Sequence, residues 1–134
     1  MPKLLLNIDV PDMAAGIAFY TAAFGLHVGR RFDDDFVELL GLEAPLYLLV
    51  KPEGSAIAPA GGDTRHYERH WSPIHPDIVV DDLDAAVSVA VAAGAIVEAP
   101  TREAAYGRIA MLADPFGHGF CLIQFNAEGY DALI

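Results

Sequence analysis

The chain has a single cysteine, Cys121, and a single tryptophan, Trp71. One cysteine excludes an internal disulfide and suits a reducing compartment. Basic residues are scarce: Lys and Arg number 8 against 19 Asp and Glu, for a net charge of −11. Phosphate backbones and anionic membrane surfaces both require a basic face, so neither nucleic acid nor a membrane is an expected partner. Long apolar runs are also missing. The three leucines Leu4-Leu5-Leu6 are followed by Asn7 and Asp9, too short a run for a secretion signal or a membrane span. A cytoplasmic protein is expected. There is no Gly-x-Ser-x-Gly elbow, no Gly-x-Gly-x-x-Gly and no P-loop, which leaves serine-hydrolase and common nucleotide-binding chemistry unsupported.

What is present is enough apolar sequence for a core, 54% over 134 residues, the size of one domain. The chain also repeats itself. Val10-Pro11-Asp12-Met13-Ala14-Ala15 resembles Val80-Asp81-Asp82-Leu83-Asp84-Ala85 at an offset of 70, and Ile17 matches Val87. After one deletion Gly25 matches Gly94 and Val28 matches Val97.

Each half follows one pattern. Leu4, Leu6, Ile8 and Val10 alternate with Leu5, Asn7 and Asp9, the period of a strand. In the second half Ile74, Ile78 and Val80 share one face and His75, Asp77 and Val79 the other. Pro76 cannot donate to a ladder, so that strand lies at an edge or breaks there. Asp12 and Asp82 suit helix N-caps, and Gly25 and Gly94 suit the left-handed residue beyond a helix end. Met13, Ile17, Tyr20 and Phe24 form an apolar stripe at helical spacing, as do Leu83, Val87 and Ala90. Three strands then follow in each half, near 26–32, 35–40 and 45–51, and near 95–99, 106–112 and 119–125. Asp33-Asp34-Asp35 and Asp114-Pro115-Phe116-Gly117 are turn sequences. The predicted organisation is a single domain over 1–134, with modules at about 1–51 and 74–134. The Pro- and Gly-rich stretch of about 52–73 links them.

Val10-Pro11-Asp12-Met13 with Phe19-Tyr20 and Phe24-Gly25-Leu26, Val80-Asp81-Asp82-Leu83 with Ala92-Ala93-Gly94, and Asp114-Pro115-Phe116-Gly117-His118 before a last strand resemble the vicinal oxygen chelate superfamily. It includes glyoxalase I, extradiol dioxygenases and the fosfomycin- and bleomycin-resistance proteins. The resemblance spans nearly the whole chain. It implies an α+β fold of two tandem βαβββ modules forming a cup-shaped mixed sheet with the helices outside, and a homodimer. It also implies four metal-ligand positions, which fall here on Leu5, Tyr47, His75 and Cys121. Relatives that use a metal carry His and Glu there. Leucine has no donor and a neutral tyrosine is a poor one, while catalytic zinc takes about three protein ligands. No inherited metal site and no cofactor are therefore expected, a divalent metal being the alternative.

Strand alternation then gives the pocket-lining set: Leu5, Asn7, Asp9, Tyr47, Leu49, His75, Asp77 and Cys121, joined by Trp71 from the loop. That is a mainly apolar site with a few polar handles. Asp9 and Asp77 await either a cationic ligand or one of Arg30, Arg31, Arg102 and Arg108. His66 and His70 have i, i+4 spacing, but the flanking Gly and Pro residues oppose a helix. His118 is read as anchoring its turn or facing solvent, and Cys121 as a small buried apolar residue. Three functions compete. The first is a metal-free protein similar to the bleomycin-resistance branch, which sequesters an aromatic or cationic compound. The second is a lyase, isomerase or dioxygenase with His75 as general base. The third is a module for protein association.

Overall fold

The computed structural model describes residues 1–134. It divides into two units, Met1–Glu68 and Arg69–Ile134. In the first unit β1 (Leu6–Val10) leads to α1 (Met13–Phe24), β2 (His27–Asp33), β3 (Phe36–Leu40) and β4 (Leu46–Val50). The second repeats this order with β5 (Asp77–Val79), α2 (Leu83–Ala93), β6 (Ile96–Ala104), β7 (Gly107–Ala113) and β8 (Gly119–Phe125), then a 3₁₀ helix, Gly129–Leu133. The α+β class and the doubled βαβββ order are those expected from the sequence.

Both helices start and stop for local reasons. The Asp12 carboxylate accepts the Ala15 N–H at 2.7 Å, and Asp82 accepts that of Ala85 at 3.1 Å. These satisfy donors that the first turn leaves open. Gly25 ends α1 at a left-handed φ of 66°.

The sheet of the first unit has the order β1-β4-β3-β2 and that of the second β5-β8-β7-β6. In each, the first strand runs parallel to the last and the remaining pairs are antiparallel. A parallel pair needs a long crossover, which α1 and the β2–β3 hairpin, or α2 and the β6–β7 hairpin, provide. Each sheet buries one face beneath its helix. Val10, Val37, Leu39 and Leu48 are sealed in the first unit; Leu83, Ala90, Leu112 and Leu122 are sealed in the second. The Leu48 and Val10 side chains stand 3.2 Å from where a Cβ on Gly16 would lie, so α1 sits close on its sheet there.

Three expectations needed correction. The buried side of α1 is Gly16, Phe19, Tyr20 and Ala23, whereas Met13, Ile17 and Phe24 are only half-buried. Nearly every residue of this helix is apolar, so the sequence carries several stripes and tertiary packing selects one. Strand β6 runs on to Ala104 because its register shifts between Val97 and Ala99 and again between Ala99 and Arg102. Those irregularities carry the edge strand past Pro100. The opening strands begin later than their apolar pattern, at Leu6 and Asp77, so Leu4 and Ile74 are exposed. For β5 the cause is Pro76, which has no N–H; its carbonyl still accepts from the Cys121 N–H at 3.0 Å.

The stretch expected as a linker is shared between the units. Residues up to Glu68 fold with the first and those from Arg69 with the second.

Candidate functional site

The face of each sheet turned away from its helix carries the polar chemistry. In the first unit Asn7 lies beside Tyr47, and Asp9 beside Leu49, in the β1–β4 register. Leu5 precedes β1 and is exposed. Tyr47 pairs across β3–β4 with Glu38, a carboxylate that is only 4% exposed. A buried charge must be matched, and here every lone pair is used. Arg30 Nε donates to Glu38 Oε1 at 3.0 Å and Arg30 Nη2 to Oε2 at 2.6 Å. The Arg30 backbone N–H adds a bond to Oε1 and the Tyr47 hydroxyl one to Oε2 at 2.9 Å. The guanidinium holds the Glu38 carboxyl down at about 2, and hydrogen bonding to Glu38 pushes the Tyr47 phenol upward. Phe32 and Phe36 pack together at 4.5 Å, and Phe36 lies 5.7 Å from the Tyr47 ring.

Asp9 has a partner that the sequence reading did not consider. Arg65 Nε donates to Asp9 Oδ2 at 2.7 Å, in place of any of the four arginines named above. Arg65 comes from the loop after β4, which doubles back through an Ala56–Thr64 bridge. The Tyr67 hydroxyl ties the loop down by donating to the Lys51 carbonyl at 2.6 Å.

In the second unit three of the expected residues converge. Asp77 lies directly opposite Cys121 in the β5–β8 register, and His75 Nε2 is 3.3 Å from Asp77 Oδ1. One donor atom from each of His75, Asp77 and Cys121 falls within 4.8 Å of the others. The sequence reading counted His75 and Cys121 as donors; the pairing of β5 with β8 adds Asp77. Burial, then the Asp77 carboxylate, pushes the Cys121 thiol up to about 11. His75 is half-exposed, as is Asp77.

His75 and Cys121 also line a half-open pocket of about 190 Å³, with Trp71, Ile74, Met111 and Phe120 as its apolar wall. Arg69 and Glu98 form its charged side, joined by two parallel bonds of 2.6 and 2.9 Å. That fork draws the Glu98 carboxyl below its usual range. Arg69 lies across the start of β8, where a Cβ on Gly119 would come within 2.6 Å of its Nη2. Trp71 is 83% exposed.

The adjoining turn is held by side-chain hydrogen bonds. Asp114 accepts from the backbone N–H groups of Phe116 and His118 at 2.8 and 2.9 Å. His118 Nδ1 meets His70 Nε2 at 3.0 Å, so His118 belongs to the turn and joins it to the segment that bears Arg69 and Trp71.

Glu38, Arg30, Arg65, Arg69 and Glu98 were missed as site residues. Glu38 had a signal: a carboxylate between Val37 and Leu39 in an apolar strand has to find a cation. Arg65 and Arg69 had none, because nothing in the loop's composition fixes where it folds.

The conserved pattern of the Glyoxalase-like domain family matches residues 6–123. The chain belongs to that family. No curated protein matches the sequence. Among solved structures, a glyoxalase/bleomycin resistance protein/dioxygenase family enzyme from Burkholderia phytofirmans PsJN is 23% identical. The match covers 91% of this chain and 97% of that one, with a TM-score of 0.69. The genomically encoded fosfomycin resistance protein FosX from Listeria monocytogenes, in a variant complexed with Mn(II) and 1S,2S-dihydroxypropylphosphonic acid, is 16% identical. It covers 96% and 94% with a TM-score of 0.71. A lactoylglutathione lyase from Agrobacterium tumefaciens is 20% identical over 92% and 95%, with a TM-score of 0.60. At these identities the likeness is one of fold.

Proposed function

We propose that the protein binds a small organic molecule in the second unit's pocket, sequestering an aromatic or cationic compound in the manner of the bleomycin-resistance branch. It does so without a metal at the four inherited positions, and works as a cytoplasmic homodimer. The pocket itself carries this reading: Trp71 and Met111 in its lining offer apolar faces for a planar ring, and a net charge of −11, with Asp77 beside the lining residue His75, favours a cation. Leu5 supports the metal-free part, because a side chain without a donor occupies one of those positions.

Trp71 gives the test its own reporter, since it is the chain's one tryptophan. Titration with a panel of aromatic cations should quench or shift its emission saturably. Binding should weaken as salt rises and the charges are screened. A flat response across the panel, repeated by calorimetry, would overturn the reading.

One observation favours a second reading, an enzyme of the same superfamily. The Asp77 carboxylate lies within reach of His75 Nε2 and would orient that ring as a general base. If so, His75→Ala abolishes any turnover found with superfamily substrates; turnover that survives the substitution removes His75 from the reaction.

A further inference from the structure

Glu98 enters the pocket through an irregularity of its strand. In the β6–β7 ladder Val97 pairs with Leu112 and Ala99 with Met111, which are neighbours on β7. Glu98 is therefore the extra residue of a bulge, and a bulge on an edge strand re-aims a side chain. Here it sets a carboxylate in a lining whose other members include Trp71, Met111 and Phe120.

Arg69 occupies that carboxylate from a loop, not from the sheet. Its Nε and Nη2 make the fork with Glu98 at 2.6 and 2.9 Å, and its Nη1 donates to the carbonyls of His70 and Gly117. The Arg69 side chain is 45% exposed and that of Glu98 26%. An ion pair so open to water contributes little net stability, so its cation can be exchanged for another of the same shape. The acceptor is the fixed part: two ionised oxygens side by side, next to aromatic and thioether surface.

We propose that Arg69 is an internal stand-in for a ligand's head group, and that the pocket selects an aromatic amidine or guanidine. The planar cation of the ligand takes the place of Arg69 on Glu98, and its ring lies against Trp71, Met111 and Phe120. This rests on the organic-ligand reading and names the class of compound within it. A planar N–C–N cation meets both carboxylate oxygens at once, whereas an ammonium is a compact, strongly hydrated point charge that cannot make the fork. A carboxylate ligand would draw Arg69 away and leave Glu98 unmatched, against a net charge of −11. One ring with one head group suits a pocket of about 190 Å³. Once displaced, Arg69 turns its Nε and Nη2 to solvent, and Glu98 remains paired throughout the exchange.

Benzamidine, benzamide and benzylamine share a ring and differ in the head group. They are titrated calorimetrically into the full-length protein, with Trp71 emission as a second readout. Benzamidine should bind more than about tenfold tighter than either of the others. Arg69→Gln removes the resident cation and should raise benzamidine affinity by more than about tenfold, with benzamide hardly changed. Glu98→Gln should erase the advantage of benzamidine over benzamide. Glu103→Gln removes a carboxylate from the same strand that pairs instead with Arg108, and should keep the advantage. The comparison of the three compounds on the unsubstituted chain needs no variant to fold. Equal affinities there overturn the proposal. So does a benzamidine advantage that survives Glu98→Gln or is lost in Glu103→Gln, or an affinity unmoved in Arg69→Gln. In each of those cases binding of the ring compounds, seen at Trp71, upholds the organic-ligand reading. Binding of none of the three overturns the amidine proposal, and the wider panel of aromatic cations then decides the reading beneath it.

Discussion

Arg30 and Glu38 form a two-pronged ion pair across the β2–β3 hairpin, at 3.0 and 2.6 Å, with the carboxylate buried and the guanidinium open to solvent. The hydrogen bonds from Arg30 hold the Glu38 carboxyl at about 2, against an ordinary 4.5. Above pH 4.5 the group is charged in the folded and unfolded chains alike, and its contribution to stability is complete. Between 4.5 and 2 the unfolded chain takes up the proton first, so the contribution is lost as the pH falls through that window. Urea midpoints should therefore drop from pH 7 to pH 3 by more in the unsubstituted protein than in Glu38→Gln. Equal drops would show that the pair does not govern acid stability.

The Tyr47 hydroxyl completes the same carboxylate, donating to Oε2 at 2.9 Å. Tyr47→Phe keeps the ring against Phe36 and deletes one charge-assisted bond, at a cost of about 1.5–3 kcal/mol. Glu38→Ala should cost more than that, because it strands the phenol as well as removing the partner of Arg30. Denaturant unfolding of the two variants gives the order. The reverse ranking would mean that Tyr47 contributes chiefly through packing.

Gly107 makes the tightest approach in the second unit. It turns the β6–β7 hairpin at φ 142°, and a Cβ there would lie 2.0 Å from the Gln124 carbonyl oxygen. That oxygen is backbone and cannot swing aside. Gly107→Ala should destabilise the protein by at least about 2 kcal/mol through strain and steric conflict, seen as a fall in the thermal midpoint. A neutral result would mean that the hairpin has another conformation available.

How much of this could be read in the sequence depends on the range of each interaction. Helix limits were legible because a cap is settled within four residues: Asp12 with Ala15, Asp82 with Ala85, and Gly25 just past Phe24. The effect of Pro76 on β5 was legible for the same reason, a missing N–H being a property of the residue itself. The buried side of α1 was not, because an almost wholly apolar helix offers no contrast between its faces. Asp77 was placed on the pocket face by alternation, but its position opposite Cys121 is a matter of register between strands separated by α2 and the β6–β7 hairpin. Register is set by the whole unit. The partners Arg65 for Asp9 and Arg69 for Glu98 lay further out of reach, since each depends on the path of a loop rich in Gly and Pro.

The Arg69–Glu98 pair supplies the prediction that bears most directly on the pocket. Arg69 can lie across β8 only because position 119 has no side chain: a Cβ there would come within 2.6 Å of Nη2 and 3.2 Å of Cζ. The obstructing atoms belong to the end of a flexible side chain, so Gly119→Ala should leave the fold intact. Arg69 should instead swing away, breaking its fork with Glu98 and the bond from Nη1 to the Gly117 carbonyl. Exposed ion pairs contribute little stability, about 0–1 kcal/mol, so unfolding should hardly change. The pocket should change, because it loses its charged side and Glu98 is left without its cation. A cationic ligand would then gain affinity in Gly119→Ala, and Glu98→Gln in the same background would remove the gain. Calorimetric titration of the single and double variants measures both steps. Unaltered affinity in Gly119→Ala would place the ligand away from the Arg69–Glu98 wall.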